Sequence, residues 1–172
     1  MLVVMPDANI SQGGFNAQGI ENSLKIFERE MNEVIVPFTE ANYRTVPDSK
    51  NRALAGLSLG GLHTLYTGIR NTNMYSWLGV FSSGWIVPMM NTVADAQYDF
   101  IKTNSGSLNT NLKLLWIAMG GKEDIAYKNC QIMLNKFNEL NIKYAYSEYP
   151  GGHTWPVWRN NLYNFAPLLF RN

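Results

Sequence analysis

Cysteine is nearly absent. Cys130 is the only one in 172 residues, which excludes an intrachain disulfide framework and a multi-cysteine metal site. Charge is scarce too. Charged residues make up 16% of the chain, against about 25% in an ordinary soluble domain. Fourteen basic residues oppose thirteen acidic ones, for a formal net charge of +1. That balance offers neither a basic stripe for nucleic acid nor an acidic tail. No apolar run approaches the ~18 residues of a membrane-spanning helix, and the mean hydropathy is −0.17. Neither nucleic acid nor membrane is therefore expected as a partner. The opening run Met1-Leu2-Val3-Val4-Met5-Pro6 lacks a basic leader and a small-residue cleavage site, so it does not read as a signal peptide. No G-x-x-x-x-G-K-[ST] loop for phosphate occurs.

What the chain does have is apolar residues at 46%, aromatics at 13%, five Trp and nine Tyr. The length suits one domain, 1–172, with a sizeable core. Five short apolar runs, at 2–5, 52–56, 77–82, 112–119 and 144–149, read as strands buried on both faces. Helical spacing fills the intervals. Residues 24–43 carry Leu24, Phe27, Met31, Val34, Ile35 and Phe38 on a helical repeat, which Pro37 should interrupt. Further helices are expected at 59–69, 126–140 and 157–170, the last disturbed by Pro167. Residues 86–110 are the least regular and read as a helix-bearing insertion near the site rim. The alternation predicts an α/β fold with a mainly parallel sheet and helices on both faces. Ligands of such sheets bind beyond the carboxyl ends of the strands. There is no internal repeat, low-complexity tract or linker.

The strongest local signal is Gly56-Leu57-Ser58-Leu59-Gly60-Gly61. This G-x-S-x-G follows an expected strand and opens an expected helix, the context in which it carries chemistry. A sharp strand-to-helix turn there would lift the Ser58 hydroxyl above the sheet. Crowding at such a turn predicts that side chains two positions before and after the serine would collide. The Leu59 N–H would point into the same space as an oxyanion donor.

A serine nucleophile needs a base. His63, five residues on along the same helix, is rotated about 140° away at ~100° per residue, and reads as a packing or surface residue. His153 sits in Gly151-Gly152-His153-Thr154-Trp155-Pro156, just past the last strand, and is the expected base. In α/β-hydrolases the acid falls between the two in sequence. Asp95, Asp99, Glu123, Asp124, Glu139 and Glu148 all do. Asp124 is chosen because Gly120-Gly121-Lys122-Glu123-Asp124 leaves a strand on the same side of the sheet; Glu123 is its near competitor. Trp85, Trp155 and Trp158 are candidate walls of an apolar acyl pocket. The polar glycine loop 7–15 is expected at the site rim. Cys130 reads as a packed thiol. No metal or organic cofactor is implied.

Four segments together resemble a known group. They are Arg52-Ala53-Leu54-Ala55-Gly56-Leu57-Ser58-Leu59-Gly60-Gly61, Leu78-Gly79-Val80-Phe81-Ser82-Ser83-Gly84, Gly121-Lys122-Glu123-Asp124, and the run from Pro150 through His153 to Arg159. The chain resembles the esterase group of α/β-hydrolases that includes bacterial feruloyl esterases of carbohydrate esterase family 1 and, more distantly, enterochelin esterases. The resemblance implies a serine esterase that releases hydroxycinnamates from plant cell-wall polysaccharide, as in xylan degradation, with Ser58, Asp124 and His153 as the triad. The substrate it implies is a feruloylated oligosaccharide. Acetyl-xylan or siderophore esterase activity is the alternative, as is a non-catalytic remnant. Members of the group carry about three strands and a His-Gly-type loop, donor of the second oxyanion N–H, ahead of the segment matching 2–5. Neither is found here. The expectation is therefore an N-terminally truncated domain that self-associates or depends on a separate N-terminal segment.

Overall fold

In Trp77–Phe81 every residue is buried, as a central parallel strand demands. Around it the computed structural model, which describes residues 1–8, 16–86 and 89–171, arranges the elements α1 (Ala17–Glu30), α2 (Val36–Asn42), β1 (Ala53–Leu57), α3 (Leu59–Arg70), β2 (Trp77–Phe81), α4 (Asn91–Asn111), β3 (Leu114–Met119), α5 (Tyr127–Glu139), β4 (Ala145–Glu148) and α6 (Trp155–Phe165). Among the described residues the sheet has four strands in the order β1-β2-β3-β4, all parallel. The register pairs Leu57 with Phe81, Phe81 with Ala118, and Met119 with Glu148.

Parallel neighbours need crossover connections, and here each is a helix. Leu54, Leu78, Val80, Leu115, Ile117 and Met119 face a large core shared with α1, α3, α4 and α5. Phe81 and Ala118 face the other way and pack on Phe165 of α6. The two-sided cover is what the continuous apolar runs encode.

Three departures from the sequence reading have physical causes. Residues 2–5 form no strand; Met1 through Met5 are all exposed. Apolarity states a preference for burial, but a strand exists only as a ladder with a neighbour. The only ladder of β1 among the described residues runs to β2. The expected helix over 24–43 begins at Ala17, capped by the Asn16 side chain accepting from the Gly19 N–H at 2.9 Å. It then widens into a π turn at Met31–Ile35, where the Val36 N–H reaches back five residues to the Met31 carbonyl. Pro37 is the cause: it has no N–H to give and its ring crowds the carbonyl four residues before it.

Residues 86–110, expected to be the least regular stretch and to bear a helix, do bear one, and it is more continuous than expected. Most of that stretch belongs to α4, a 21-residue helix; Val87 and Pro88 lie outside the described residues. Within the Ser/Asn/Gly run the polar side chains turn back onto the helix, which satisfies them without leaving it. Thr103, Asn104, Ser107 and Thr110 donate to the carbonyls of Asp99, Phe100, Asn104 and Gly106. Buried Ile101 and Leu108 anchor it to the core. No helix among the described residues is long and apolar enough to cross a membrane. Helix α6 stops at Phe165, and Pro167 falls in a short 3-10 turn.

Candidate active site

Three strand ends converge. Ser58 follows β1, the loop holding Asp124 follows β3, and the loop holding His153 follows β4. Because the strands are parallel, all three loops leave the sheet at the same edge.

Ser58 adopts φ 53 and ψ −120, the strained strand-to-helix turn. Its N–H donates to the Phe81 carbonyl at 2.9 Å, tying the turn to β2. Crowding at this turn is one-sided. A Cβ on Gly56 would run into the Gly60 carbonyl, and one on Gly61 would lie 2.6 Å from the Ser83 Cβ, but one on Gly60 meets nothing within 4 Å. The expected collision at Gly60 is thus corrected: the turn needs the backbone of Gly60 close to Gly56, not a missing side chain at 60. Leu59 is the first residue of α3. Its N–H has no intrahelical acceptor and lies at the positive end of the helix, suited to developing negative charge.

The loops after β3 and β4 stay paired beyond the sheet. The Tyr149 N–H donates to the Met119 carbonyl at 2.9 Å, and the Gly121 N–H to the Gly151 carbonyl at 2.6 Å. At Gly120 a Cβ would lie 2.9 Å from both the Gly152 carbonyl and Asp124 Oδ2, so only glycine permits this approach. The result is a line of hydrogen bonds. The Ser58 hydroxyl donates to His153 Nε2 at 2.8 Å, and His153 Nδ1–H donates to Asp124 Oδ1 at 2.8 Å.

Asp124 is buried and well supplied with donors. Its Oδ1 also accepts the Ala126 N–H at 2.9 Å, while Oδ2 accepts the Ser82 hydroxyl at 2.6 Å and the Gly120 N–H at 3.3 Å. Burial pushes the carboxyl toward protonation; the Ser82 and Ala126 donors and His153 overcome this and hold it below its ordinary value. Glu123, one residue earlier, is exposed. His63 lies elsewhere: it is buried between α1 and α3, its Nε2 2.9 Å from the Ser23 hydroxyl and its ring stacked on Phe27 at 4.6 Å.

The tryptophans divide. Trp158 stands edge-on to the His153 ring at 4.9 Å, and Trp155 edge-on to Trp158 at 5.3 Å. Trp155 is 62% exposed beside the site. Trp85 does not line it. Its side chain is in the main core, 1% exposed. The preceding Gly84 lies directly against the α5 backbone at Asn129 and Cys130. Cys130 is buried, and burial pushes its thiol up to about 12. Of the loop 7–15, residues 9–15 lie outside the described residues; Ala8 packs against the main core. The contact that the sequence reading missed is Ser82. Its position after β2, one strand from Asp124, was the available signal.

A parallel sheet of this order, with a strained serine at a strand-to-helix turn, defines an α/β-hydrolase-type fold. The chain belongs to the Esterase family, described as "Putative esterase", whose model matches residues 1–168. Among curated proteins it is 27% identical over 145 residues to an endo-1,4-beta-xylanase/feruloyl esterase of Xylanibacter ruminicola, covering 84% of this chain and 18% of that protein. Among solved structures it resembles a CE1 ferulic acid esterase from Anaeromyces mucronatus, in complex with ferulic acid. The TM-score is 0.78 at 19% identity, over 96% of this chain and 61% of that one. It also resembles enterochelin esterase from Shigella flexneri, with a TM-score of 0.65 at 15% identity, over 88% and 39% of the two chains. The chain therefore spans less than two thirds of each of these proteins. The structural likenesses establish the shared fold.

Proposed function

We propose that this chain is a serine carboxylesterase that releases hydroxycinnamate acyl groups from plant cell-wall polysaccharide. The observation that carries the reading is the unbroken line from the Ser58 hydroxyl through His153 to Asp124, 2.8 Å at each step. His153 Nε2 accepts the Ser58 proton as Oγ attacks the ester carbonyl carbon. The Asp124 carboxylate, kept ionised by its donors, stabilises the imidazolium and holds its orientation. The Leu59 N–H stabilises the oxyanion. The tetrahedral intermediate collapses, the carbon–oxygen bond to the alcohol breaks, and the alcohol leaves with the proton from His153. Water, deprotonated by the same nitrogen, then cleaves the acyl-Ser58 ester and regenerates the hydroxyl.

The aromatic acyl preference is supported by Trp155 and Trp158 beside His153. It is supported also by the relatives named for feruloyl and ferulic acid esterases. The test measures hydrolysis of methyl ferulate and of a chromogenic acetate by the chain and by its Ser58→Ala variant, with fluorophosphonate labelling followed by mass spectrometry. Label on Ser58 and loss of turnover on the order of 10⁶ in Ser58→Ala are expected, as for removal of a triad nucleophile. Activity within tenfold of the parent overturns the assignment. A clear preference for acetate favours an acetyl-xylan-type esterase; no labelling and no turnover favour a non-catalytic remnant.

A further inference from the structure

We infer that Ser82 is a positioning residue of this active site, whose hydroxyl fixes the plane of the Asp124 carboxylate so that Oδ1 faces His153. The inference rests on the triad reading proposed above and extends it by one residue.

Three observations meet at Ser82. The first is its hydrogen bond. The hydroxyl donates to Asp124 Oδ2 at 2.6 Å, while the other donor on that oxygen, the Gly120 N–H, stands at 3.3 Å. A carboxylate turns readily about its Cβ–Cγ bond, a broad and roughly two-fold torsion. The short bond from Ser82 is therefore what sets Oδ2. Oδ1, opposite, is shared between the Ala126 N–H and His153.

The second is burial. Ser82 is wholly buried and Asp124 nearly so, so no water replaces the hydroxyl cheaply if it is lost. Of the influences that keep the acid ionised against its own burial, the Ser82 bond is the strongest. The third is backbone. Ser82 has φ 45, a left-handed conformation that glycine adopts with less strain. Serine there holds a hydroxyl in place at a conformational cost, as residues at working sites do.

The same short stretch also reaches the nucleophile. The Ser82 N–H donates to the Ala118 carbonyl of β3 at 2.8 Å, and the carbonyl just before it, on Phe81, accepts the Ser58 N–H at 2.9 Å. One end of β2 thus holds the turn of the nucleophile through its main chain and the acid through a side chain.

The test uses Ser82→Gly, which suits the left-handed backbone and removes only the hydroxymethyl group. Ser82→Ala, which keeps the β-carbon, serves if glycine prevents folding. Hydrolysis of an activated aromatic ester is measured in the parent, Ser82→Gly, Asp124→Asn and the double variant. The low-field proton resonance of His153 Nδ1–H is recorded by NMR in the parent and in Ser82→Gly. The expected single-variant result is a chain that still folds, and a kcat lower by about ten- to a hundredfold, the range seen when an outer partner of a metal-ligating group is removed. KM should stay within twofold and the His153 resonance should shift or broaden. In the Asp124→Asn background the same change should cost less than twofold, because a residue acting through Asp124 has nothing left to position. A folded Ser82→Gly with kcat within twofold of the parent overturns the inference, as does an equal loss in both backgrounds. Ser58→Ala run alongside separates the two readings. If it stays active the triad itself is wrong; if it is inactive while Ser82→Gly is not, only the role of Ser82 fails.

Discussion

A β-carbon on Gly56 would overlap the backbone carbonyl of Gly60, whereas a β-carbon on Gly60 meets nothing within 4 Å. The two glycines of one motif are therefore not equivalent. Gly56→Ala should unfold the turn or leave the chain insoluble, since a backbone collision has no flexible group to yield. Gly60→Ala should fold normally and raise stability by up to about 1 kcal/mol, the difference between the two residues inside a helix. Thermal melts of both variants check this, and a Gly60→Ala variant as damaged as Gly56→Ala refutes it.

Asp124→Asn should lower kcat by about 10⁴, as the corresponding change does in a well-studied serine protease. Glu123→Gln should stay within twofold, because Glu123 is exposed and His153 Nδ1 is already paired with Asp124. The reverse ranking moves the acid to Glu123. Stability carries a second signature. Burial raises the Asp124 pKa, but the Ser82 and Ala126 donors and His153 bring it below the ordinary value. A depressed carboxylate contributes stability above its unfolded pKa of about 3.9, lost as pH falls through the folded value. Melts of Asp124→Asn below about pH 4 should accordingly depend less on pH than those of the parent.

His63 makes a pH dependence of the opposite origin. Burial lowers its pKa from 6.5 to about 4. Between those values the unfolded chain holds a proton that the folded chain refuses. Stability is therefore full above about pH 6.5 and falls by about 1.4 kcal/mol per unit as pH drops toward 4, near 3 kcal/mol in all. His63→Leu cannot titrate there, so its stability should fall less across that window than the parent's in denaturant titrations. A parent whose stability is unchanged between pH 7 and 4.5 contradicts the buried, neutral imidazole.

Methyl ferulate should be hydrolysed with a higher kcat/KM than methyl acetate. Trp155→Ala should reduce that advantage. An indole covering roughly 50 Å² of the ferulate ring contributes about 1.3 kcal/mol at 25 cal/mol per Å², close to tenfold. The loss should appear mainly in KM for ferulate and leave acetate unchanged. Equal effects on both esters would assign Trp155 to the support of Trp158 and His153 instead.

Most of the fold was legible because its signals are local. Apolar runs at 77–82 and 112–119 became β2 and β3 within two residues at each end, and Pro37 interrupted its helix by removing one N–H. G-x-S-x-G between a strand and a helix placed Ser58 at a strand end, and the chain order of the remaining acids and histidines reduced the partners to a short set. Those features depend on residues a few positions apart. What the tertiary structure decided depends on residues far apart in sequence. Residues 2–5 are as apolar as any strand, yet no described neighbour pairs with them. Trp85 follows β2 and Trp158 lies on α6, and packing puts the first in the core and the second against His153. The Ser82 hydroxyl meets Asp124 across 42 positions of chain. Hydrogen-bonded ladders and close packing join groups by distance in space, and a linear pattern does not carry that distance.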